Sequence, residues 1–273
     1  MKILFFRSVW GLEDIPALED KFKKIKAGGF DGVELDVPLD AATCKQAREV
    51  LDDLELAVVA QQWRTSGPTV AAHLASFEPQ YERALILRPL YLNSHTGRDH
   101  FTVAENLAIF DHASGLAARH GLEVYHETHR SRALFSAPAA MALLDARPQL
   151  KLVADFSHWC CVHESLLADQ AERVACAMTR SFAIHARVGH PQGPQVPDPR
   201  DPLWQPNLAA HLDWWQSIAA QRRAEGCAWL PICPEFGPAP YMTLLPHSHQ
   251  PIADLWEINC FMRDWLKAQL LDS

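Results

Sequence analysis

Short apolar runs alternate with amphipathic stretches along the whole chain. Residues 2–6 (KILFF), 30–37 (FDGVELDV), 56–61 (LAVVAQ) and 90–94 (LYLNS) are short and apolar, as buried strands are. Residues 122–127 (LEVYHE), 152–155 (LVAD), 182–188 (FAIHARV) and 229–235 (WLPICPE) continue the series. Between them lie helix-like stretches. Residues 12–27 carry Leu18, Phe22 and Ile25 at helical spacing and close on Gly28-Gly29. The pattern predicts further helices over 41–54, 70–87 (with Pro79 as a local break), 103–120, 138–146, 165–177, 207–223 and 252–271.

Eight strands thus alternate with eight helices. The strands are apolar on both faces, which suits a parallel sheet covered by helices. Eightfold alternation favours a closed (β/α)8 barrel over an open doubly wound sheet. The 273 residues are close to the length of one such barrel, about 250 residues. No linker or low-complexity segment divides the chain, so one domain is expected over 1–273. No GxGxxG or GxxxxGK[ST] phosphate loop is present.

Composition narrows the classes. A net charge of -8 argues against nucleic acid as the main partner, because such proteins usually present a basic face. The seven cysteines are odd in number and form no CxxC pair, which predicts reduced thiols and a cytoplasmic setting. The apolar run before Arg7 is only four residues, too few for a signal peptide. No apolar run approaches the ~18 residues of a membrane-spanning helix. Fourteen histidines direct attention to metal.

The stretch 150–164 (LKLVADFSHWCCVHE) ends its apolar run on Asp155, with His158 three residues later. The neighbouring strands end alike, at Glu127, His185 and Glu235. In a barrel the C-terminal strand ends converge on one mouth. Taken singly, each residue has an ordinary explanation. Asp155 could cap a helix, Glu235 could be a solvated loop acid, and His185 could be a hydrogen-bonded core histidine. Together they form an oxygen-rich set suited to one divalent cation, Mn²⁺ or Mg²⁺ first, with Co²⁺ and Zn²⁺ also compatible. Without a cation, three acids so close would repel one another.

The series Glu127, Asp155-x-x-His158, His185 and Glu235, with FDGVEL in the second strand, resembles the xylose-isomerase-like TIM barrel superfamily. The best match is its sugar phosphate isomerase/epimerase branch, and the resemblance spans essentially the whole chain. It implies a single TIM barrel in which Glu127, Asp155, His185 and Glu235 hold the metal. Glu127 and Glu235 would also be the acid/base pair, and His158, Arg187 and His95 would meet a small sugar-like substrate. Removal of a proton from the carbon beside a carbonyl, the chemistry of such enzymes, suits two carboxylates near a cation. Arg187 could instead pair with a neighbouring acid.

The chain also departs from that pattern. Ketose 3-epimerases carry a second acid shortly after the first glutamate, where this chain has Thr128-His129-Arg130-Ser131-Arg132. The family arginine also lies further beyond the histidine than Arg187 does. His129, Arg130 and Arg132 make the mouth locally basic, so a sugar acid or sugar phosphate is a candidate substrate. The loop 189–205 carries five prolines and is long for a strand–helix connection, as a substrate-covering lid would be. Its Trp204 could close over a sugar ring or simply anchor the loop. His247 and His249, in segment 237–251, read as polar loop residues rather than ligands. Trp214 and Trp215 hint at a homo-oligomer interface or pack on the barrel.

The alternative function is a metal-dependent lyase or dehydratase of the same superfamily. Type IV apurinic endonucleases also share the superfamily and place a metal-binding histidine where His95 stands. They need further ligands at positions that here read Gln61-Gln62-Trp63, and an Asp-x-His that does not follow His185. A non-catalytic sugar-binding barrel would not need both Glu127 and Glu235.

Overall fold

The computed structural model describes residues 1–271. Its strands are β1 (Lys2–Ser8), β2 (Gly32–Asp36), β3 (Ala57–Gln62), β4 (Leu92–Ser94), β5 (Val124–Glu127), β6 (Lys151–Ala154), β7 (Ser181–His185) and β8 (Trp229–Cys233). They pair in parallel in sequence order, and β8 closes onto β1. The helices are α1 (Leu18–Ala27), α2 (Ala41–Asp53), α3 (Val70–Leu87), α4 (Val103–His120), α5 (Ala137–Ala146), α6 (Ser157–Val162), α7 (Ala171–Thr179), α8 (Gln205–Ala224) and α9 (Leu255–Leu271). This is a single (β/α)8 TIM barrel. No helix among the described residues is long and apolar enough to cross a membrane, and all seven cysteines are unpaired.

Local chemistry explains the helix starts. Asp40, Thr69, Thr102 and Ser136 each accept a hydrogen bond from a backbone N–H in the first turn of the helix that follows. Thr102 and Glu105 complete a reciprocal capping box. Pro79 does not break α3, contrary to expectation. A mid-helix proline costs about 3 kcal/mol, but α3 buries Phe77, Tyr81, Ala84 and Leu87 and is held by that packing. The helix expected over 165–177 is divided differently. The short helix α6 follows β6 directly, a 3-10 turn spans Ala168–Gln170, and α7 begins only at Ala171.

Two apolar clusters divide the core. The larger lies between barrel and helices, and Trp215 is buried in it. The smaller fills the barrel interior with Phe6, Val59, Tyr91, Tyr125, Val153, Ala183 and Cys233, and Tyr91 stacks on Tyr125 at 4.3 Å. Gly32 makes room for it, since a Cβ there would lie 2.3 Å from the Phe6 ring. Side chains alternate across a strand, so the next inward position is two residues on. There the chain places Gln61, Asn93, Glu127, Asp155, His185 and Glu235. The apolar layer is therefore the floor of a polar one.

Candidate active site

Glu127 ends β5. Its Oε2 accepts a hydrogen bond from Asn93 Nδ2 at 2.8 Å, lies 2.9 Å from His95 Nε2 and 3.5 Å from His185 Nδ1. Its Oε1 is buried without a partner. Glu235 follows β8. Its Oε1 accepts from Gln61 Nε2 at 3.3 Å, and its Oε2 lies 2.8 Å from His185 Nδ1 and 3.3 Å from Arg187 Nη2. His185, at the end of β7, therefore stands between the two glutamates. Its other nitrogen, Nε2, is 3.0 Å from Oε2 of the buried Glu34 on β2.

Asp155 follows β6 and is fully buried. It accepts from the Ser157 backbone N–H at 3.1 Å and from the Ser157 hydroxyl, and it pairs with Arg187. The unforeseen α6 thus has a local purpose: its first residue pins Asp155. Arg187 also donates to the Glu235 carbonyl oxygen at 3.3 Å.

Burial alone would drive the Glu127 carboxyl up, but the His95 and His185 imidazoles outweigh it and hold it well below its usual range. At Glu235 burial is likewise outweighed, by His185 and Arg187. At Asp155 burial prevails despite Arg187, and its pKa is pushed up to about 6. Burial would lower the His185 imidazole, yet Glu235, Glu34 and Glu127 together raise it well above its usual value. Arg187 and the His185 imidazole, whose cationic form the carboxylates favour, thus offset the acids.

A divalent cation fits this arrangement. One ligand atom from each of Glu127, Asp155, His185 and Glu235 lies within 4.8 Å of the others, and all four residues are buried. The partnerless Glu127 Oε1 and the surplus of carboxylates supply the donor chemistry that a hard cation needs.

Above the cluster opens a cavity of about 320 Å³. Glu127, Glu235, His95 and Arg187 line it. Asp155 and His185 lie behind this wall. His158, expected to meet substrate, does not line the cavity. Helix α6 carries it behind Arg187, whose Nη2 lies 3.0 Å from its Nε2, and it is completely buried. Trp204 is also elsewhere: it packs on His190 at 5.0 Å and borders a separate surface depression. His247 and His249 are exposed.

Sequence reasoning passed over several cavity residues. Trp10, Asp36, Gln61, Trp63 and Tyr241 line it, as do His129 and Arg132 of the basic segment. Gln61 was detectable, being the inward residue two positions after Val59. Asp36 was detectable in part, as the last residue of β2. It accepts from Trp63 Nε1 at 2.7 Å and from Arg64 at 3.0 Å. Trp10 and Tyr241 come from loops with no periodicity to place them. Trp10 lies against Gly237, where a Cβ would approach its ring to 2.0 Å.

No protein-family model matches the chain, and no curated protein matches it in sequence. Solved structures match its fold over nearly their full lengths. A 3-keto-D-glucoside 4-epimerase from E. coli is 15% identical, with a TM-score of 0.66, over 98% of this chain and 100% of that one. A xylose isomerase-like TIM barrel protein from Mycobacterium smegmatis, in complex with magnesium, is 14% identical at TM-score 0.63, covering 98% and 97%. A probable 3-DHS dehydratase from Bacillus anthracis is 15% identical at 0.62, covering 98% and 99%. These likenesses show the fold alone, a (β/α)8 barrel.

Proposed function

We propose that this protein is a divalent-metal-dependent isomerase or epimerase acting on a sugar, sugar acid or sugar phosphate. The observation that carries the reading is the pair Glu127 and Glu235. Both line one cavity, both are buried, and they flank His185. Glu127, Asp155, His185 and Glu235 would hold the ion, Mn²⁺ or Mg²⁺ by donor type. When bound, the ion supplies polarisation of the substrate carbonyl and offsets the negative charge that develops there.

The protein's own residues do the rest. One glutamate takes the proton from the carbon beside the carbonyl, and the other returns a proton to the same or the adjacent carbon. The base starts ionised and the acid starts protonated, and the two exchange these states in the step; the ionised form is favoured at Glu127 by His95 and His185 and at Glu235 by His185 and Arg187. Asn93 and Gln61 orient the two carboxylates. Trp10, Trp63 and Tyr241 provide apolar walls that exclude water from the reacting carbon. His95 and Arg187 offer donors to substrate oxygens. His158 and Trp204 act away from the substrate in this reading, His158 by supporting Arg187 and Trp204 by anchoring the loop.

The epimerase and the magnesium-bound protein among the fold's solved structures support the proposal, as does the net charge against a nucleic-acid substrate. The unpaired cysteines support a cytoplasmic setting. The test is a panel of keto-sugars and sugar acids with Mn²⁺ in D₂O. Deuterium should appear at the carbon beside the carbonyl without loss of substrate atoms. Release of water or of a leaving group would point instead to a dehydratase or lyase.

A further inference from the structure

Most charges around the cavity have partners. Arg187 pairs with Asp155 and Glu235, and Asp36 pairs with Arg64. Arg130 lies over the Tyr241 ring at 5.1 Å. Arg132 differs. Its side chain lines the cavity and is only 8% exposed, yet it forms no ion pair with a carboxylate among the described residues. A turn folds it back against the barrel, its backbone N–H donating to the His129 carbonyl at 3.2 Å. Nη1 and Nη2 donate to the backbone carbonyls of Thr65 at 3.2 Å and Trp63 at 2.8 Å. Nε is buried without a partner.

A second cation stands beside the first. Arg98 Nη2 donates to the same Thr65 oxygen at 3.3 Å, so two guanidinium groups converge on one carbonyl. Asp99, next to Arg98 in the chain, pairs instead with His100 at 3.3 Å. Burial, reinforced by Arg98, pushes the Arg132 pKa down to about 10, as befits a cation short of counter-charge. The same field reaches His73, whose ring nitrogens are both buried without partners. Burial and then the two arginines push its pKa down to about 4. A buried charge left unpaired is costly, and an anion in the cavity would offset it.

We propose that the substrate is a sugar acid, its carboxylate seated against Arg132 where the segments following β3 and β5 meet, with Arg98 adding attraction from outside the cavity wall. This rests on the isomerase reading and narrows it. Phosphate sites are typically built on helix N-termini and backbone N–H groups. None of the residues lining this cavity belongs to a helix, which favours carboxylate over phosphate.

The experiment compares affinities in matched sets. Glucuronate, galacturonate and gluconate are titrated by calorimetry with Mn²⁺ present, each beside its neutral parent sugar and the parent's 6-phosphate. At least one acid should bind about tenfold more tightly than its parent, the effect of one charge-assisted hydrogen bond. Arg132→Gln should bring that ratio close to one, and Arg132→Lys should restore part of it. Arg98→Gln, whose side chain does not line the cavity, should lower the ratio by less and provides the test if Arg132→Gln fails to fold. A guanidinium that only braced the loop would weaken acid and parent alike and leave the ratio unchanged. The inference is overturned if no acid outbinds its parent, if the ratio survives Arg132→Gln, or if a 6-phosphate is preferred. An acid that binds through Arg132 but takes up no deuterium would count against the isomerase reading and uphold the carboxylate site.

Discussion

The two inward layers of the barrel lie two residues apart on the same strands and have opposite chemistry. Val59, Tyr91, Tyr125, Val153, Ala183 and Cys233 form a dry floor. Gln61, Asn93, Glu127, Asp155, His185 and Glu235 stand directly above it. The floor gains from burial of apolar surface and stacked rings. The upper layer crowds acids into a buried space, which opposes folding unless cations compensate. One strand therefore carries an apolar residue and a polar or charged one in adjacent inward positions. The same backbone serves both, and substitutions should separate them.

The largest expected effect is in the upper layer. Glu127→Gln or Glu235→Gln should slow deuterium exchange about a thousandfold or more, within the usual range for losing a general acid or base. Melting temperature should fall, because each carboxylate is the buried partner of imidazoles or of Arg187. Full exchange activity in either variant would sink the acid/base assignment. Next comes the floor. Tyr91→Ala removes a fully buried ring stacked on Tyr125 and should cost on the order of 4 kcal/mol in urea unfolding. Should it instead leave stability intact and abolish exchange, the division between layers fails.

Acid should act outside both layers. His211 on α8 is buried, accepts from the Gly189 N–H at 3.1 Å, and has its pKa pushed down to about 4 by burial. The unfolded chain binds this proton near pH 6.5. Below that pH the unfolded state binds more protons than the folded one. Stability should therefore be full above pH 6.5 and fall as pH drops toward 4, by up to about 3 kcal/mol. In His211→Gln the corresponding part of the slope should vanish in melts across this range. The smallest effect expected is from the ion. Mn²⁺ at a hundredfold excess over its dissociation constant should stabilise by about 2.7 kcal/mol, and Asp155→Asn should abolish that gain.

The four strand-end residues were legible because strand ends in a barrel meet, whatever the loops do. Glu127, Asp155, His185 and Glu235 needed only the period of two and the count of eight. The same period marks Gln61 and Asn93, but uncharged amides draw no attention without their neighbours. His158 was misplaced for a local reason. The chain turns into α6 immediately after Asp155, which carries the imidazole behind Arg187 rather than into the cavity. Trp204 sits in a proline-rich loop whose path depends on what it packs against, here His190. Trp10 and Tyr241 meet beside the seam of the barrel, edge to face at 5.1 Å, although 231 positions separate 10 from 241 along the chain. No local pattern encodes such a meeting.

That contact spans the seam where β8 closes on β1. Trp10 leaves the first strand and Gly237 follows the last, and one lies against the other. Glu235, beside that seam, is among the last site residues the ribosome adds. A growing chain therefore exposes its first seven strands with no finished cavity, and the cavity is complete only once the last strand has docked.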